Sequence, residues 1–158
     1  MVQLERAKRY LGRIRKIYSG VFSTSGHSKE SYDDDVISFF IHCYHIRDWL
    51  IHLEEFNVTK SEIDLYIDSQ NALKICADLA NGSKHCKLTR TLRTERQPHI
   101  GDKEYRTEIW FSGGSGGETM QARYTISSYM EKHDVLSLAE ECVRLWDEFI
   151  NTINSHNK

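Results

Sequence analysis

Apolar residues recur at steps of three and four near both ends of the chain. Near the N-terminus one such stripe has basic side chains on its opposite face. This periodicity predicts an amphipathic helix over about residues 2–18, and Gly20 provides the usual signal for its end. A similar stripe near the C-terminus predicts a helix over about 134–153, with Asp134 as its N-cap.

Two further helices are predicted between these ends. The stretch from about 35 to 55 is apolar around most of its circumference, which is typical of a helix buried on several sides at the centre of a bundle. Three acidic residues at 33–35 precede it and suit a helix N-terminus, where they meet unpaired amides. The third helix, over about 61–80, is expected to begin at a cap provided by Thr59 or Ser61.

The period of the pattern then changes from helical to two. Apolar and polar residues alternate over 105–111 and again over 120–126, and a glycine-rich segment at 113–117 joins the two stretches. This pattern predicts a β-hairpin with a flexible tip. Because a lone two-stranded hairpin is only marginally stable in water, the threonine-rich segment 88–96 is a candidate for a third strand.

The order of these elements predicts an α+β fold that is mainly α. We expect one domain over residues 1–158: a four-helix bundle with a two- or three-stranded antiparallel β module inserted before the last helix, at about 88–128. No apolar run reaches the roughly 18–20 residues that a spanning helix needs, and no apolar segment of a secretory signal follows the basic N-terminus. We therefore expect a cytoplasmic protein with no membrane partner.

The chain has four cysteines, which lie far apart and form no C-x-x-C pair. Cys43, Cys76 and Cys142 each sit among apolar residues at helical spacing. This is the usual position of a free cysteine that packs as a small hydrophobic side chain. We expect all four to be reduced thiols in a reducing compartment.

The formal net charge of −2 argues against a strongly basic nucleic-acid binder, but the charge is unevenly distributed. Residues 84–106 contain seven Lys or Arg residues against three acidic residues, a local net charge of +4. A basic strip with nearby aromatic residues suits a polynucleotide backbone and stacking on bases, with Arg90, Arg93 and Arg106 as binding candidates. An edge strand kept soluble by its charge accounts for the strip equally well.

Two segments place polar groups where a core is expected. The first runs from His42 to Asp48 in the predicted central helix, and the second from Asp78 to His85 at the end of the next helix. His45 lies three residues before Asp48, so a carboxylate and an imidazole share a face. If the two helices pack antiparallel, one polar pocket would collect the candidates Arg47, Asp48, Asn81, Lys84 and His85.

Two other interpretations of these residues are open. A buried polar network that fixes the register of the helices explains them without any activity. A metal site built from His42, His45 and His52 would need Asp48 or Asp78 as a further ligand. Because no established metal-ligand spacing supports such a site, we expect neither a metal nor a cofactor.

The Arg-Asp-Trp sequence at 47–49 and the segment Asp-Leu-Ala-Asn-Gly-Ser-Lys-His at 78–85 resemble the HEPN superfamily. The resemblance covers roughly residues 35–90. Members of that superfamily are small helical bundles, often dimeric; many are metal-independent ribonucleases of toxin and antiphage systems, and others bind RNA or nucleotides without cleaving them. The family motif has an arginine, usually a polar residue next, and a histidine after four to six intervening positions. Asn81 and His85 match the polar residue and the histidine, whereas Ala80 stands where the arginine belongs.

The resemblance implies roles for the residues that match. His85 would act as general acid or base on the ribose or the leaving oxygen, Asn81 would orient it, and Arg47 and Lys84 would hold phosphate. The sequence therefore predicts a HEPN-like RNA- or nucleotide-binding homodimer, or a divergent metal-independent ribonuclease of phage defence. The alternative is a non-enzymatic module that self-associates through a helix face or a hairpin edge.

Overall fold

The computed structural model describes residues 1–22, 29–84 and 91–156. In these ranges the chain forms six α-helices and four β-strands, so the predicted mainly helical α+β class is confirmed. The first and last helices lie where the periodicity placed them. In chain order the elements are α1 Val2–Ser19, β1 Val21–Phe22, α2 Lys29–Tyr44, α3 Ile46–His52, α4 Lys60–Ser69, α5 Asn71–Lys84, β2 His99–Ser112, β3 Ser115–Ser128, β4 Glu131–Asp134 and α6 Val135–His156.

Helix α2 lies at the centre of the helices and contacts α1, α5 and α6. Its side chains Val36, Phe39 and Phe40 are fully buried, as are Trp146 of α6 and Ile14 of α1. Helices of this length are marginal in water by themselves, so the burial of their apolar faces against α2 is what stabilises them. No helix within the described residues combines the length and the apolar character needed to cross a bilayer.

The second predicted helix is two helices. α2 ends at Tyr44 and α3 begins at Ile46, because the chain turns at His45. The His45 carbonyl oxygen accepts hydrogen bonds from the backbone N–H groups three and four residues ahead, at 3.1 and 3.3 Å. Ile46 and Leu50 are buried. The apolar pattern therefore continues through the turn, which is why the periodicity predicted one uninterrupted helix.

The three acidic residues at 33–35 do not cap a helix, contrary to the prediction, because α2 begins before them at Lys29. Asp35 instead accepts a hydrogen bond from Arg13 Nη1 at 2.8 Å, and Asp33 accepts one from Lys103 Nζ at 2.5 Å. These carboxylates tie α2 to α1 on one side and to β2 on the other.

The third predicted helix is also divided, because α4 ends at Ser69 and α5 begins at Asn71. Of the two candidate caps, the structure selects Thr59. Its Oγ1 accepts from the Glu62 backbone N–H at 3.3 Å, and Glu62 Oε2 accepts from the Thr59 backbone N–H at 2.8 Å. This reciprocal pair is a capping box, which satisfies two amides that the helix leaves unpaired.

The described strands form one antiparallel sheet with β3 at its centre. β2 pairs with one edge of β3, and β1 and β4 pair with the other. The predicted hairpin is thus confirmed, although the sheet also recruits β1 from between α1 and α2. Residues 91–96 of the candidate third strand form no strand. The candidate is therefore wrong over that range, and residues 88–90 lie outside the described residues.

The hairpin turn is shorter than the sequence predicted. It consists of Gly113 and Gly114, whose φ angles are 56° and 82°. A two-residue turn with positive φ at both positions matches the twist of the flanking strands, and glycine adopts it without steric cost. Residues 115–117, expected in a flexible tip, belong to β3.

Only part of the hairpin packs on the helices. Ala122, Tyr124 and Ile126 alternate along the face of β3 that is buried against α1 and α6. Residues 106–116, which surround the turn, are all exposed. We call this segment the hairpin arm.

Candidate functional site

A polar cleft of about 730 Å³ lies beside α4 and α5. More of its surface is polar than apolar. Its lining residues come from the end of α2, from α3, α4 and α5, and from the segment that precedes β2. They are Tyr44, Arg47, Lys60, Asp64, Asp68, Lys74, Asp78, Asn81, Thr91, Leu92 and Arg93.

An ion pair between α3 and α4 forms one wall of the polar cleft. Arg47 Nε donates to Asp64 Oδ1 at 2.7 Å and Arg47 Nη2 donates to Asp64 Oδ2 at 2.8 Å. The remaining amine, Nη1, donates to Asp48 Oδ1 at 2.9 Å. Only 13 % of the Arg47 side chain is exposed. The guanidinium is therefore held by carboxylates on both sides, in the bidentate geometry that makes such pairs strong.

A second arginine reaches the same carboxylate from the segment before β2. Arg93 Nη2 donates to Asp64 Oδ1 at 2.7 Å, and Arg93 Nη1 donates to Asp68 Oδ1. Asp64 and Asp68 lie one helical turn apart on α4, so both carboxylates face this arginine. The network fixes the segment that precedes β2 against α4.

The network favours the charged forms of Asp64, Arg47 and Arg93. Hydrogen bonds from Arg47 lower the pKa of the Asp64 carboxyl, and those from Arg93 add to the effect. The hydrogen bond to Asp64 likewise raises the pKa of Arg47. Burial lowers the pKa of Arg93, but its bonds to Asp68 and Asp64 outweigh burial and raise it.

The floor of the polar cleft is built around Asp78, which is 3 % exposed. Its Oδ2 accepts from the Thr94 backbone N–H at 2.7 Å and from Thr94 Oγ1 at 2.8 Å. Gln97 Nε2 donates to the Asp78 backbone carbonyl at 2.8 Å. This buried carboxylate is therefore used to anchor the segment before β2.

Lys60 and Lys74 complete the lining and differ from the two arginines. Within the described part of the chain neither lysine takes part in an ion pair. Lys60 is exposed and Lys74 is half-buried. They are the cations of the polar cleft that are available to an anion from solution.

The structure brings together some of the predicted site residues and separates others. Arg47, Asn81 and Arg93 line the polar cleft. Asp48 contacts Arg47, whose Nη1 donates to it at 2.9 Å. His45 lies at the turn between α2 and α3.

The other predicted residues lie elsewhere. Arg106 is in the hairpin arm, 3.3 Å from Glu108, so Arg93 and Arg106 belong to different surfaces. Lys84 is the last residue of α5. His85 and Arg90 lie outside the described residues.

The histidine metal site is not formed. Where the chain is described, the one group with at least three closely placed candidate ligand atoms contains no histidine. The His42 ring lies 4.9 Å from the Tyr10 ring and its Nδ1 is 3.4 Å from Gln3 Nε2. Burial, followed by the nearby charges of Arg6, His45 and Arg9, lowers the pKa of His42. The ring is part of the contact between α1 and α2.

The sequence analysis did not identify Asp64 and Asp68, the acidic residues that α4 contributes to the polar cleft. Lys60, Asp64 and Asp68 recur every four residues, so they share one face of α4. That spacing was available as a signal. It points to a charged helix face but does not identify Arg47 and Arg93 as its partners, because their approach depends on the tertiary packing.

No protein-family model matches the chain, and no curated protein or solved structure matches it either.

Proposed function

We propose that this chain is a HEPN-like RNA- or nucleotide-binding protein that holds phosphate groups in the polar cleft. The observation that carries this proposal is the pair Lys60 and Lys74, which line the cleft without ion-pair partners in the described chain. Asn81, one of the two residues that match the superfamily motif, lines the same cleft. In this proposal the bundle has four helices, of which two are broken. The unbroken ones are α1 and α6, and the broken ones are α2 with α3 and α4 with α5.

Binding is favoured over cleavage by the state of the arginines. Arg47 would need to release Asp64 before it could stabilise a phosphorane, and that exchange takes the bidentate partner from a half-buried carboxylate and leaves it one bond from Arg93. Arg93 is itself held by one hydrogen bond to Asp64 and one to Asp68. Ala80, at the position of the family arginine, is fully buried. No arginine of the described cleft is therefore ready for catalysis, whereas the lysines need no rearrangement to contact phosphate.

The test is binding of single-stranded RNA and of free nucleotides, measured by fluorescence anisotropy at several salt concentrations. We expect the double variant Lys60→Ala/Lys74→Ala to weaken RNA affinity by about tenfold, equivalent to about 1.4 kcal/mol. The slope of log affinity against log salt should fall by about 0.7 for each phosphate that a lysine no longer neutralises. The control is Arg9→Ala/Lys16→Ala, which removes two exposed cations of α1 and should leave affinity unchanged.

If the two double variants lose affinity equally, RNA is attracted by the overall charge of the protein, and the polar cleft is ruled out as the binding site. Cleavage is tested separately by incubating labelled transfer RNA and mixed RNA with the wild type and His85→Ala in the presence of a chelator. Chelator-resistant cleavage by the wild type alone would make the chain a metal-independent ribonuclease. If neither protein cleaves, the polar cluster is structural or ligand-binding, and the anisotropy measurements decide between the two.

The hairpin arm favours a second candidate function, self-association into a homodimer. Three consecutive apolar side chains near its turn, Ile109, Trp110 and Phe111, are 66 %, 44 % and 85 % exposed. The outer edge of β2 has no partner strand in the described chain. An exposed strand edge that ends in an apolar patch is a template for pairing with another chain.

Sedimentation analysis over a range of concentrations tests this candidate. We expect Ile109→Thr/Phe111→Thr to shift a dimer towards monomer. The control variant is Met130→Thr, because Met130 is 84 % exposed but lies outside the hairpin arm. A wild type that stays monomeric at the highest concentration would exclude self-association through the arm.

A further inference from the structure

Three cysteines from three different helices converge in the core. Cys43 is on α2, Cys76 on α5 and Cys142 on α6, and their Sγ atoms all lie within 4.8 Å of one another. Their side chains are 0 %, 1 % and 0 % exposed. We call these residues the cysteine triad. The residues are 33 and 66 positions apart in sequence, so the triad is created only by the packing of α2, α5 and α6.

The spacing of the sulfurs is close to that of a metal–thiolate site. Zinc–sulfur bonds are about 2.3 Å long, which places the sulfurs of a shared ion about 3.8–4.0 Å apart. Bringing sulfurs at most 4.8 Å apart to that separation requires shifts of a few tenths of an ångström for each side chain. The three cysteines are free, so none of their sulfurs forms the bond of about 2.05 Å that joins a disulfide.

The surroundings of the triad include one donor that could hydrogen-bond a thiolate sulfur. The indole N–H of Trp146 is a buried donor without a hydrogen-bond partner among the described residues. Trp146 lies one helical turn after Cys142 on α6, so the two side chains share one face of that helix. A buried donor without a partner is costly in a folded protein, and it is explained if an anionic sulfur lies beside it.

We propose that the cysteine triad binds one zinc(II) ion. Binding releases three thiol protons to solvent as three Zn–S bonds form, and the complex carries a local charge of −1. A monovalent ion such as copper(I) on three thiolates would leave −2, which a buried apolar site disfavours more strongly. The fourth position of a tetrahedral set would be left to an oxygen ligand. Because the triad is enclosed, zinc enters while the chain folds, and its binding energy adds to folding.

The first measurement needs only the wild-type chain, produced in zinc-containing medium without an affinity tag. Elemental analysis should give about one zinc per chain, and X-ray absorption at the zinc edge should show about three sulfur neighbours at about 2.3 Å. Unfolding in denaturant with a chelator, followed by refolding without zinc, should remove the metal and lower the melting temperature. Refolding with zinc(II) should restore both.

Two cysteine variants test whether the zinc is bound by the cysteine triad. Cys76→Ser should lose the zinc, whereas Cys86→Ser, which removes the one cysteine outside the triad, should keep it. The wild-type absorption spectrum decides the question even if Cys76→Ser does not fold.

Three results would overturn the proposal. The first is a wild type that is isolated without metal and gains none when refolded with zinc(II). The second is bound zinc with only nitrogen and oxygen neighbours, which indicates an adventitious surface site. The third is a disulfide bond between two triad cysteines, detected as the loss of two hydrogen atoms in the mass of protein purified under anaerobic conditions. None of these results depends on RNA binding, so the zinc site and the proposed function fail or succeed separately.

Discussion

Arg47 and Asp64 form a bidentate pair in one wall of the polar cleft, with N–O distances of 2.7 and 2.8 Å. The carboxylate of Asp64 also accepts from Arg93 at 2.7 Å. One side chain of α4 thereby joins α3 to the segment before β2. This pair organises the wall of the cleft, and it also keeps Arg47 from an external phosphate.

Replacing Asp64 by Asn should destabilise the fold by about 2 kcal/mol, because hydrogen bonds to charged groups contribute about 1.5–3 kcal/mol each. Arg47 and Arg93 would be left facing a neutral amide. Asp68→Asn is the matched control, since its side chain is 53 % exposed and should cost less. Urea denaturation followed by circular dichroism gives both values. Equal effects of the two substitutions would show that Asp64 has no special position in the network.

The contribution of Asp64 should also depend on pH. Its folded pKa lies below its usual value because of Arg47, so the contribution is complete above about pH 4, the usual pKa of aspartate. It is lost as the pH falls further, through the folded pKa. The stability difference between the wild type and Asp64→Asn should therefore be constant from pH 7 to pH 5 and narrow below pH 4.

The capping box at the start of α4 predicts a local effect. Thr59→Ala should lower the free energy of unfolding by about 1 kcal/mol, since it removes the acceptor for the Glu62 amide. Ser61→Ala is the control, because Ser61 was the other candidate cap and lies one residue inside the helix start. We expect a change within about 0.5 kcal/mol for that surface substitution. A larger loss in Ser61→Ala than in Thr59→Ala would contradict the assignment of the cap.

The features that the sequence predicted well are those with a local cause. The apolar stripe of α6, the alternation in β2 and β3, and the Thr59–Glu62 pair depend on neighbouring residues. The turns at His45 and Gln70 were missed because the apolar period continues through them. The predicted start of α2 was also wrong, because a run of acidic residues is compatible both with a position before a helix, as a cap, and with the first turns of the helix.

The candidate site was predicted in part. Arg47 and Asn81 were expected in one pocket because two polar segments interrupted apolar helices, and both line the polar cleft. Asp64 carries no such signal, because an aspartate on an amphipathic helix is ordinary until Arg47 and Arg93 reach it. The cysteine triad is hidden for the same reason, since each cysteine alone resembles a small core residue.

His42 should make stability fall at mildly acidic pH. Burial and nearby cations lower its folded pKa, so the unfolded chain binds a proton near pH 6.5 more readily than the folded chain does. Stability is therefore lost as the pH falls below about 6.5. Measured between pH 7.5 and pH 5, the wild type should lose more stability than His42→Gln. His52→Gln, which removes an exposed histidine, should follow the wild type; a parallel profile for His42→Gln would contradict the prediction.

Tyr18 joins α1 to the sheet through its hydroxyl. The oxygen accepts from the Tyr124 backbone N–H at 3.1 Å, and it lies 3.1 Å from both the Tyr124 carbonyl and Asp134 Oδ2, to one of which it donates. Tyr18→Phe removes the acceptor for a buried amide. We therefore expect a loss of about 1–3 kcal/mol, measured by urea denaturation at pH 7. The control Tyr129→Phe, at a residue that is 54 % exposed, should be close to neutral.

The same hydroxyl predicts a loss of stability at alkaline pH. Burial raises the pKa of Tyr18 to about 12, whereas tyrosine in the unfolded chain ionises near pH 10. The contribution of Tyr18 is thus complete below pH 10 and is lost as the pH rises towards 12, because the unfolded chain gives up its proton first. The stability difference between the wild type and Tyr18→Phe should therefore narrow over that interval. If the stability difference between the wild type and Tyr18→Phe stayed constant up to pH 12, Tyr18 would ionise as readily in the folded chain as in the unfolded chain. Its role in joining α1 to β3 would then have to be withdrawn.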